Sequence, residues 1–317
     1  MAEKTPPQIN DLIFRELIKR GYSLEGNTRI WNIADSKLWY LTPEQAQAYL
    51  DLENDEEYKK TVTQQEIDLI NNNADEILQK FGNEPVNISD IGCGDGRKAS
   101  MLIKKFKGTK VRYCPIDISG YMVEKAIQKI KEADIEEVVK FQWNISDFEN
   151  IGNIATLLRY KEFKKNLTLL LGNTLGNFEI NELLYEIRNS MKGGDLLLIG
   201  NGLDHRKPEE ILNSYNSEHF NKFSAFPLLQ LGLKKEDIEF GVRFKNSRIE
   251  SFYTLKKAQE ISFLGRSVKF EVGDQVIVVV SYKYTKEDFS SFMNLYFDDV
   301  MIKTSEDGSY ALALCKK

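Results

Sequence analysis

Residues 87–117 read NISDIGCGDGRKASMLIKKFKGTKVRYCPID, and this stretch decides the fold. An apolar strand runs into a glycine turn, an amphipathic helix follows, and a second strand ends on Asp117. Glycines let the backbone approach a ligand, and the start of a helix supplies oriented N–H groups. An acid at the tip of the second strand can accept hydrogen bonds from ribose hydroxyls. The stretch therefore predicts a site for a nucleotide-like cofactor. The glycines of the turn are Gly92, Gly94 and Gly96.

The composition predicts a soluble chain with a large packed core. Of its 317 residues, 42% are hydrophobic and 29% are charged, which is enough to bury a sizeable core. The net charge is −5 and basic residues form no block, which argues against a nucleic-acid partner. Two histidines and three cysteines without a CxxC pair argue against a metal site and predict reduced thiols. We find no apolar leader and no run near the ~18 residues of a membrane span, and therefore expect a cytoplasmic protein. The oligomeric state is left open.

Strands and helices alternate between residues 86 and 199. Five apolar strands are separated by helical segments, and the third strand is predicted at residues 138–143. This alternation predicts a doubly wound parallel sheet with right-handed crossovers. Residues 11–85 show helical spacing and predict a mostly helical prefix. The chain ends in a predicted β-hairpin that pairs residues 300–303 with residues 310–315.

The pattern changes after residue 202, which predicts an insertion. A helical stretch rich in aromatic residues is followed by five antiparallel strands, and a helix then returns to the core. We expect a helical prefix over residues 1–60, a core over residues 61–202 and 285–317, and an inserted α+β segment over residues 203–284. The prefix and the insertion together are predicted to form a second domain.

The glycine turn does not match the dinucleotide fingerprint. GxGxxG would need its third glycine at position 97, where the chain has Arg97. The acid before the turn (Asp90), Asp117 and the terminal hairpin together favour S-adenosylmethionine, because methyltransferases that use it end their parallel sheet with such a hairpin. A turn that binds nothing is the alternative.

Asp147 and Phe148 follow the third strand, at the position that meets adenine in methyltransferases. Asp147 can accept a hydrogen bond from the exocyclic amine, and Phe148 can pack on the ring. A helix cap by Ser146 or Asp147 is an alternative of equal weight. The full set predicted to bind the cofactor is Gly92, Gly94, Gly96, Arg97, Asp117, Asp147, Phe148 and Asn173.

Residues 171–177 read LGNTLGN and follow the fourth strand. Ligands bind at the carboxyl ends of parallel strands, so this run is expected to face the transferred methyl group. Asn173 and Asn177 offer donors and acceptors without charge, so they can hold an amine without fixing it as an ammonium.

This run resembles the motif of the histidine-specific methyltransferase family, which is close to LGSTIGN. The best-known members trimethylate the α-amine of histidine on the route to ergothioneine, and a fungal branch methylates the amine of a prenylated tryptophan. The resemblance implies a class I S-adenosylmethionine methyltransferase, whose Rossmann-like α/β sheet ends in a β-hairpin, with a second α+β substrate domain. It also implies that Asn177 contacts the substrate amine and that Tyr215 holds its carboxylate. Tyr58 is the nearest match to a tyrosine of the family's prefix.

One departure from the family lies near the end of the insertion. The family has Glu-Ile-Ser there and its glutamate recognises imidazole, whereas this chain reads Val279-Val280-Ser281. A valine side chain cannot hydrogen-bond, so histidine is not the expected acceptor and an aromatic or aliphatic amine fits better. The residues predicted to bind the substrate are Asn177, Tyr215, Val279 and Ser281. Those predicted to act in catalysis, by positioning the amine, are Asn177, Tyr58 and Tyr215.

The sequence thus predicts an S-adenosylmethionine-dependent N-methyltransferase for an amino acid or a related small amine. Histidine, as in the resembled family, is the alternative acceptor. The alternative from another class is a non-catalytic module that binds the cofactor or its demethylated product and acts through a protein partner. A dinucleotide oxidoreductase is disfavoured by Arg97 and by the terminal hairpin.

Overall fold

The computed structural model describes residues 10–54, 56, 59, 63–82, 84–131, 133, 135–204 and 207–317. The chain forms two compact units. The core unit comprises Thr42–His205 and Lys283–Lys317, and the insert unit comprises Met1–Leu41 and Arg206–Tyr282. Within the described ranges, no helix is long and apolar enough to cross a membrane.

Helices and strands are numbered separately along the described chain. The helices are Asp11–Arg20 (α1), Pro43–Glu53 (α2), Gln64–Gln79 (α3), Arg97–Ile103 (α4), Gly120–Ile130 (α5), Ile151–Leu157 (α6), Ile180–Ser190 (α7), Pro208–Ser214 (α8), Glu218–Leu229 (α9) and Lys286–Tyr296 (α10). The strands are Tyr22–Glu25 (β1), Thr28–Asn32 (β2), Val86–Ile91 (β3), Val111–Ile116 (β4), Glu137–Val138 (β5), Lys165–Leu170 (β6), Leu196–Gly202 (β7), Ile238–Lys245 (β8), Arg248–Leu255 (β9), Gln259–Phe263 (β10), Arg266–Phe270 (β11), Gln275–Tyr282 (β12), Asp299–Thr304 (β13) and Tyr310–Lys316 (β14).

The core unit contains a seven-stranded sheet in the order β13-β14-β7-β6-β3-β4-β5. The strands from β7 to β5 run parallel, and β14 pairs antiparallel with both β7 and β13. This arrangement confirms the predicted α/β sheet with a terminal β-hairpin. β3 and β4 are buried at every position, as parallel strands are when helices cover both faces of the sheet. Their carboxyl ends lie at one edge, where ligands bind in such folds.

The third parallel strand is much shorter than the sequence predicts. The prediction of a strand over residues 138–143 is wrong, because β5 has two residues and a 3-10 helix follows it. The side-chain amide of Asn144 donates to the carbonyl oxygen of Pro115 at 2.7 Å, and so uses a backbone group that a strand ladder would occupy. Pairing resumes only in a single parallel bridge between Asp117 and Ile145.

The insert unit contains a five-stranded sheet in the order β1-β2-β12-β9-β8 and a separate β10–β11 hairpin. β2 pairs parallel with β12, and the other neighbours are antiparallel. The helical prefix prediction is wrong at residues 22–32, which form the β1–β2 hairpin. Gly26 has a φ of +60° and permits the tight turn, while the rings of Tyr22 and Trp31 pair across the strands at 5.0 Å.

The compact units divide the chain after residues 41, 205 and 282. The sequence pattern placed the corresponding boundaries after residues 60, 202 and 284. The largest difference concerns α2, which belongs to the core unit because its Ala46 and Leu50 cluster with Met122 of α5. Apolar contacts between distant segments, which local patterns do not record, therefore set this boundary.

Candidate active site

The glycine turn after β3 adopts the backbone conformation that only glycine takes without strain. Gly92, Gly94 and Gly96 have φ values of +67°, +52° and +74°. A Cβ atom on Gly96 would lie 2.8 Å from the Cα atom of Ala126, so this glycine also lets α4 begin close against α5. A Cβ on Gly94 would meet nothing within 4 Å, which leaves open space beside the turn.

Asp117 is hydrogen-bonded to this turn. Its Oδ2 atom accepts from the N–H of Gly94 at 3.2 Å, and its Oδ1 atom accepts from the N–H of Ser119 at 3.0 Å. Burial raises the pKa of Asp117 to about 6, and the backbone hydrogen bonds act in the opposite direction. The structure thus brings Asp117 and the predicted glycines together, with a carboxylate that is largely ionised at neutral pH.

The segment after β5 is pinned beside Asp117. The N–H of Asp117 donates to the carbonyl of Asn144 and its own carbonyl accepts from the N–H of Ser146, each at 3.0 Å. These bonds bring the predicted Asp147 and Phe148 to the same end of the sheet. Sequence reasoning missed Ile145, an apolar side chain that is 55% exposed there. Ile145 lies between Asn144 and Ser146, the two residues that make these backbone contacts, and only this position next to a strand end could have indicated it.

The turn after β6 packs against the glycine turn. Gly172 and Asn173 both have left-handed backbone, with φ values of +74° and +63°. A Cβ on Gly92 would lie 3.2 Å from the Oγ1 atom of Thr174, which itself donates to the carbonyl of Leu171 at 2.7 Å. The two signature runs of the sequence are therefore in contact.

The two asparagines of the LGNTLGN run have different surroundings. The Oδ1 atom of Asn173 accepts from the N–H of Gly202 at 2.8 Å, so its oxygen links this turn to the carboxyl end of β7. Asn177 ends the 3-10 helix Thr174–Asn177 and is half-buried. Among the residues that the structure describes, its side-chain amide has no hydrogen-bond partner. Phe178 follows it and packs edge-on against Phe148, with ring centroids 4.6 Å apart.

A cleft lies between the two turns within the core unit and contains about 410 Å³ of space, part of it open to solvent. Asp90 lines it and accepts a 2.7 Å hydrogen bond from the hydroxyl of Tyr113. Burial raises the pKa of Asp90 to about 7, although the Tyr113 hydrogen bond and the charge of Lys98 lower it. Burial likewise raises the pKa of Cys93, which keeps this neighbouring thiol protonated.

Charged side chains form one wall of this cleft, namely Glu53, Arg97 and Lys98, of which only Arg97 was predicted from the sequence. Arg97 contacts Asp95 at 2.6 Å and Glu53 at 3.2 Å, so the guanidinium predicted to bind the cofactor is bound to protein carboxylates. Lys98 contacts Glu66 at 2.9 Å and Glu53 at 3.4 Å. Glu53 and Glu66 come from helices that precede the signature stretch, and no local pattern distinguished them from surface acids.

The predicted substrate residues of the insert unit are partly brought together. The hydroxyl of Tyr215 donates to the Oγ atom of Ser281 at 3.0 Å, and its ring packs edge-on against Phe220 at 5.1 Å. Val279 is buried on β12 beside a bulge that follows Ile277. Tyr58, the third predicted catalytic residue, lies outside the described residues.

The core unit combines a parallel sheet that has an antiparallel terminal hairpin with a left-handed glycine turn, and the acid at the end of the next strand is hydrogen-bonded to this turn. Together these features define an S-adenosylmethionine-dependent methyltransferase. Residues 46–317 match the family described as "Histidine-specific methyltransferase, SAM-dependent". The match covers most of the chain, so the chain belongs to this family. The predicted family and the predicted cofactor are thereby confirmed.

Individual relatives share only parts of their length with this chain. Ergothioneine biosynthesis protein 1 of Schizosaccharomyces pombe is 25% identical in an alignment of 154 residues that covers 46% of this chain and 20% of that protein. Malonyl-[acyl-carrier protein] O-methyltransferase of Priestia megaterium is 30% identical in an alignment of 122 residues that covers 34% of this chain and 43% of that protein. The crystal structure of magnesium protoporphyrin IX methyltransferase from Synechocystis PCC 6803 is 12% identical, with a TM-score of 0.46 over 89% of this chain and 100% of that one. The chain thus spans less than half the length of the two curated relatives.

The residues of the cleft fit the family's cofactor. The open space beside Gly94 adjoins a carboxylate, Asp117, that already accepts hydrogen bonds. The cleft, which Gly94 lines, also carries an acid of its own, Asp90, and an ammonium group, Lys98. A nucleoside joined to a zwitterionic amino acid needs these three kinds of group: acceptors for a ribose diol, an acid for an ammonium, and a cation for a carboxylate.

Proposed function

We propose that this chain is a small-molecule N-methyltransferase for the amine of an amino acid or a related amine, and that histidine is not its acceptor. The observation that carries the proposal is the side-chain amide of Asn177. It ends a turn that contacts the cofactor loop through Thr174 and Gly92, and no described residue satisfies its hydrogen bonds. Such an amide is suited to recognise an uncharged nitrogen nucleophile, and Thr174 at the start of the same 3-10 helix lines the cleft.

The roles of the cofactor residues follow from the charges of Asp90 and Lys98 in the cleft and of Asp117 behind Gly94. Asp117 would hold the ribose hydroxyls, Asp90 the ammonium and Lys98 the carboxylate of the cofactor's amino-acid part. Ile145 and Phe148 offer apolar surface for a base next to Asp117. Arg97 is already engaged by Asp95 and Glu53, so we assign it to fixing the wall of the cleft.

Bound S-adenosylmethionine supplies a methyl group on a positively charged sulfur. The protein has to present a nitrogen lone pair to that methyl group and exclude water. An α-amine is mostly protonated at neutral pH, so the site must favour the neutral form. The oxygen of the Asn177 amide can accept an N–H of the acceptor, and since it carries no charge it does not stabilise the ammonium form as a carboxylate would.

Three residues of the insert unit are assigned to the acceptor by the family resemblance. Tyr215 and Ser281 are joined by a hydrogen bond, which supports their acting as a pair. Val279 offers a buried apolar side chain where the family has a glutamate. These features favour an amine with an apolar or aromatic side group over imidazole.

An acceptor screen tests the proposal. Purified protein and S-adenosylmethionine are incubated with a panel of amino acids, aromatic amines and carboxylic acids, and release of S-adenosylhomocysteine is measured with mass spectrometry of the products. Methylation of an amine nitrogen, much slower in the Asn177→Ala variant, is the expected result. Efficient conversion of histidine to its trimethyl betaine would contradict the proposal that histidine is not the acceptor. Transfer to a carboxylate oxygen would contradict N-methylation. Cofactor binding with no transfer to any member of the panel would favour a non-catalytic module.

A further inference from the structure

Glu66 is a carboxylate on α3 with no exposed surface, and no sequence motif gave it a role. Its Oε1 and Oε2 atoms lie 2.9 and 3.1 Å from the N–H donor of Gly172. Its Oε2 atom also contacts the Nζ atom of Lys98 at 2.9 Å. A buried charge is costly unless it is paired and hydrogen-bonded, and these contacts provide both.

The neighbouring strand leaves room for this carboxylate. A Cβ atom on Gly200 of β7 would lie 2.2 Å from the Oε1 atom of Glu66, so any larger residue would displace it. Glu66 therefore joins three parts of the cofactor site: the helix after the glycine turn, the turn after β6, and the adjoining strand. A surface acid on an amphipathic helix would need none of these arrangements.

We propose that Glu66 is a positioning residue that holds the Lys98 ammonium where it binds the carboxylate of the cofactor's amino-acid part. Because Glu66 is completely buried, it acts through Lys98 and does not touch the ligand. The Nζ atom of Lys98 lies 3.0 Å from the place of a Cβ on Gly172, directly over the turn that Glu66 anchors. Without Glu66 the ammonium would be drawn to Glu53, which contacts it at 3.4 Å. The inference rests on the family's cofactor and is independent of the proposed acceptor.

A ligand pair separates this role from a purely structural one. S-adenosylhomocysteine contains the amino-acid part, and 5′-methylthioadenosine shares the adenosine but lacks it. Glu66→Gln keeps the size of the side chain and an acceptor for Gly172 but removes the charge that holds Lys98. Calorimetry is expected to show the dissociation constant of S-adenosylhomocysteine raised about tenfold, and that of 5′-methylthioadenosine changed less than about twofold.

Two further variants complete the test. In a Lys98→Met background, Glu66→Gln should add no further loss of S-adenosylhomocysteine affinity, because the partner through which it acts is gone. Gly200→Ala should reproduce the selective loss, since it displaces the carboxylate while keeping its charge, and it replaces Glu66→Gln if that variant does not fold.

Asp195→Asn is the matched control. Asp195 is also a buried carboxylate paired with a cation, Arg159, but it binds the N–H of Asn166 at the amino-terminal end of β6, away from the cleft. This variant should lose stability and keep both affinities. Equal weakening of the two ligands by Glu66→Gln, no change in either, or an undiminished effect in the Lys98→Met background would overturn the proposal. Failure of the wild-type protein to bind S-adenosylhomocysteine would instead contradict the cofactor assignment.

Discussion

The N–H of Gly94 donates to Oδ2 of Asp117 at 3.2 Å, so the glycine turn and the acid of the next strand form one hydrogen-bonded unit. Burial raises the pKa of Asp117 to about 6. The group is therefore ionised at pH 7 and becomes neutral about one pH unit lower. A neutral carboxyl group cannot accept two hydrogen bonds from a ribose diol as a carboxylate does.

This pKa predicts that adenosine binding weakens in mild acid. The dissociation constant of 5′-methylthioadenosine should be constant from pH 8 to about pH 6.5 and rise toward tenfold higher at pH 5, as Asp117 takes up a proton. This ligand lacks the amino-acid part, so the titration of Asp90 contributes little. Asp117→Asn should bind weakly at every pH, without the acid dependence. Equal affinities of the wild-type protein at pH 5 and pH 8, measured by calorimetry, would refute the assignment.

The raised pKa of Asp90 predicts a cost to stability at high pH. An acid whose folded pKa lies above its unfolded value is equally protonated in both states below the unfolded pKa, and it destabilises the fold as pH rises through the folded one. For Asp90 the shift runs from 3.8 to about 7. The cost at pH 8 is therefore on the order of 4 kcal/mol relative to pH 4.

Asp90→Asn should accordingly gain stability relative to the wild-type protein between pH 4.5 and pH 8, as measured by urea unfolding. Tyr113→Phe serves as the control, because it removes the hydroxyl that donates to Asp90 but keeps the titrating carboxyl group. A difference between Asp90→Asn and the wild type that does not change with pH would show that Asp90 is not the titrating group.

Two glycines of the turn offer a matched comparison of strain and contact. Both Gly94→Ala and Gly96→Ala place a side chain at positive φ, which costs roughly 1–2 kcal/mol. Only at Gly96 would the new Cβ also meet a backbone atom, the Cα of Ala126 at 2.8 Å, which adds roughly 1–3 kcal/mol. Denaturant unfolding should therefore rank Gly96→Ala as clearly less stable than Gly94→Ala. Equal losses would mean that α4 and α5 move apart at little cost.

The sequence predicted those parts of the fold and the site that local patterns encode. The glycine turn, Asp117 and the LGNTLGN run are short motifs, and the terminal hairpin has its own turn signal. Two predictions were wrong. In the predicted third strand, the side chain of Asn144 replaces strand pairing. At residues 22–32, Gly26 makes the turn of a hairpin inside a prefix that was predicted to be helical.

Glu66 and Lys98 could not be identified for a different reason. On an amphipathic helix, a buried glutamate and an exposed one have the same neighbours in sequence. What distinguishes Glu66 is the missing Cβ of Gly200 and the N–H of Gly172, which are more than 100 residues away along the chain. Tertiary contacts alone carry that information.

Asn177 is predicted to act on the acceptor and not on the cofactor. Asn177→Ala should lower kcat about a hundredfold, because the acceptor amine loses its orienting partner, while the affinity for S-adenosylhomocysteine stays within twofold. Asn177→Asp should also be slow, since a carboxylate favours the ammonium form of the amine. Asn181→Ala is the control, because that exposed asparagine lies four residues further on and its side chain bonds to Glu179 and Tyr296. Loss of cofactor affinity in Asn177→Ala would reassign the residue to the cofactor site.

Val279 is predicted to exclude histidine as a methyl acceptor. Val279→Glu restores the family's acid and should raise histidine methylation at least tenfold over the wild-type protein, because a carboxylate can accept the imidazole N–H. Val280→Glu is the matched control, since Val280 is equally buried but packs with Ile30 and Ile277 on the opposite face of the strand. Both variants bury a new charge, so their melting temperatures should fall together while only one gains activity. If a folded, cofactor-binding Val279→Glu protein methylates histidine no faster than Val280→Glu, then other residues exclude histidine.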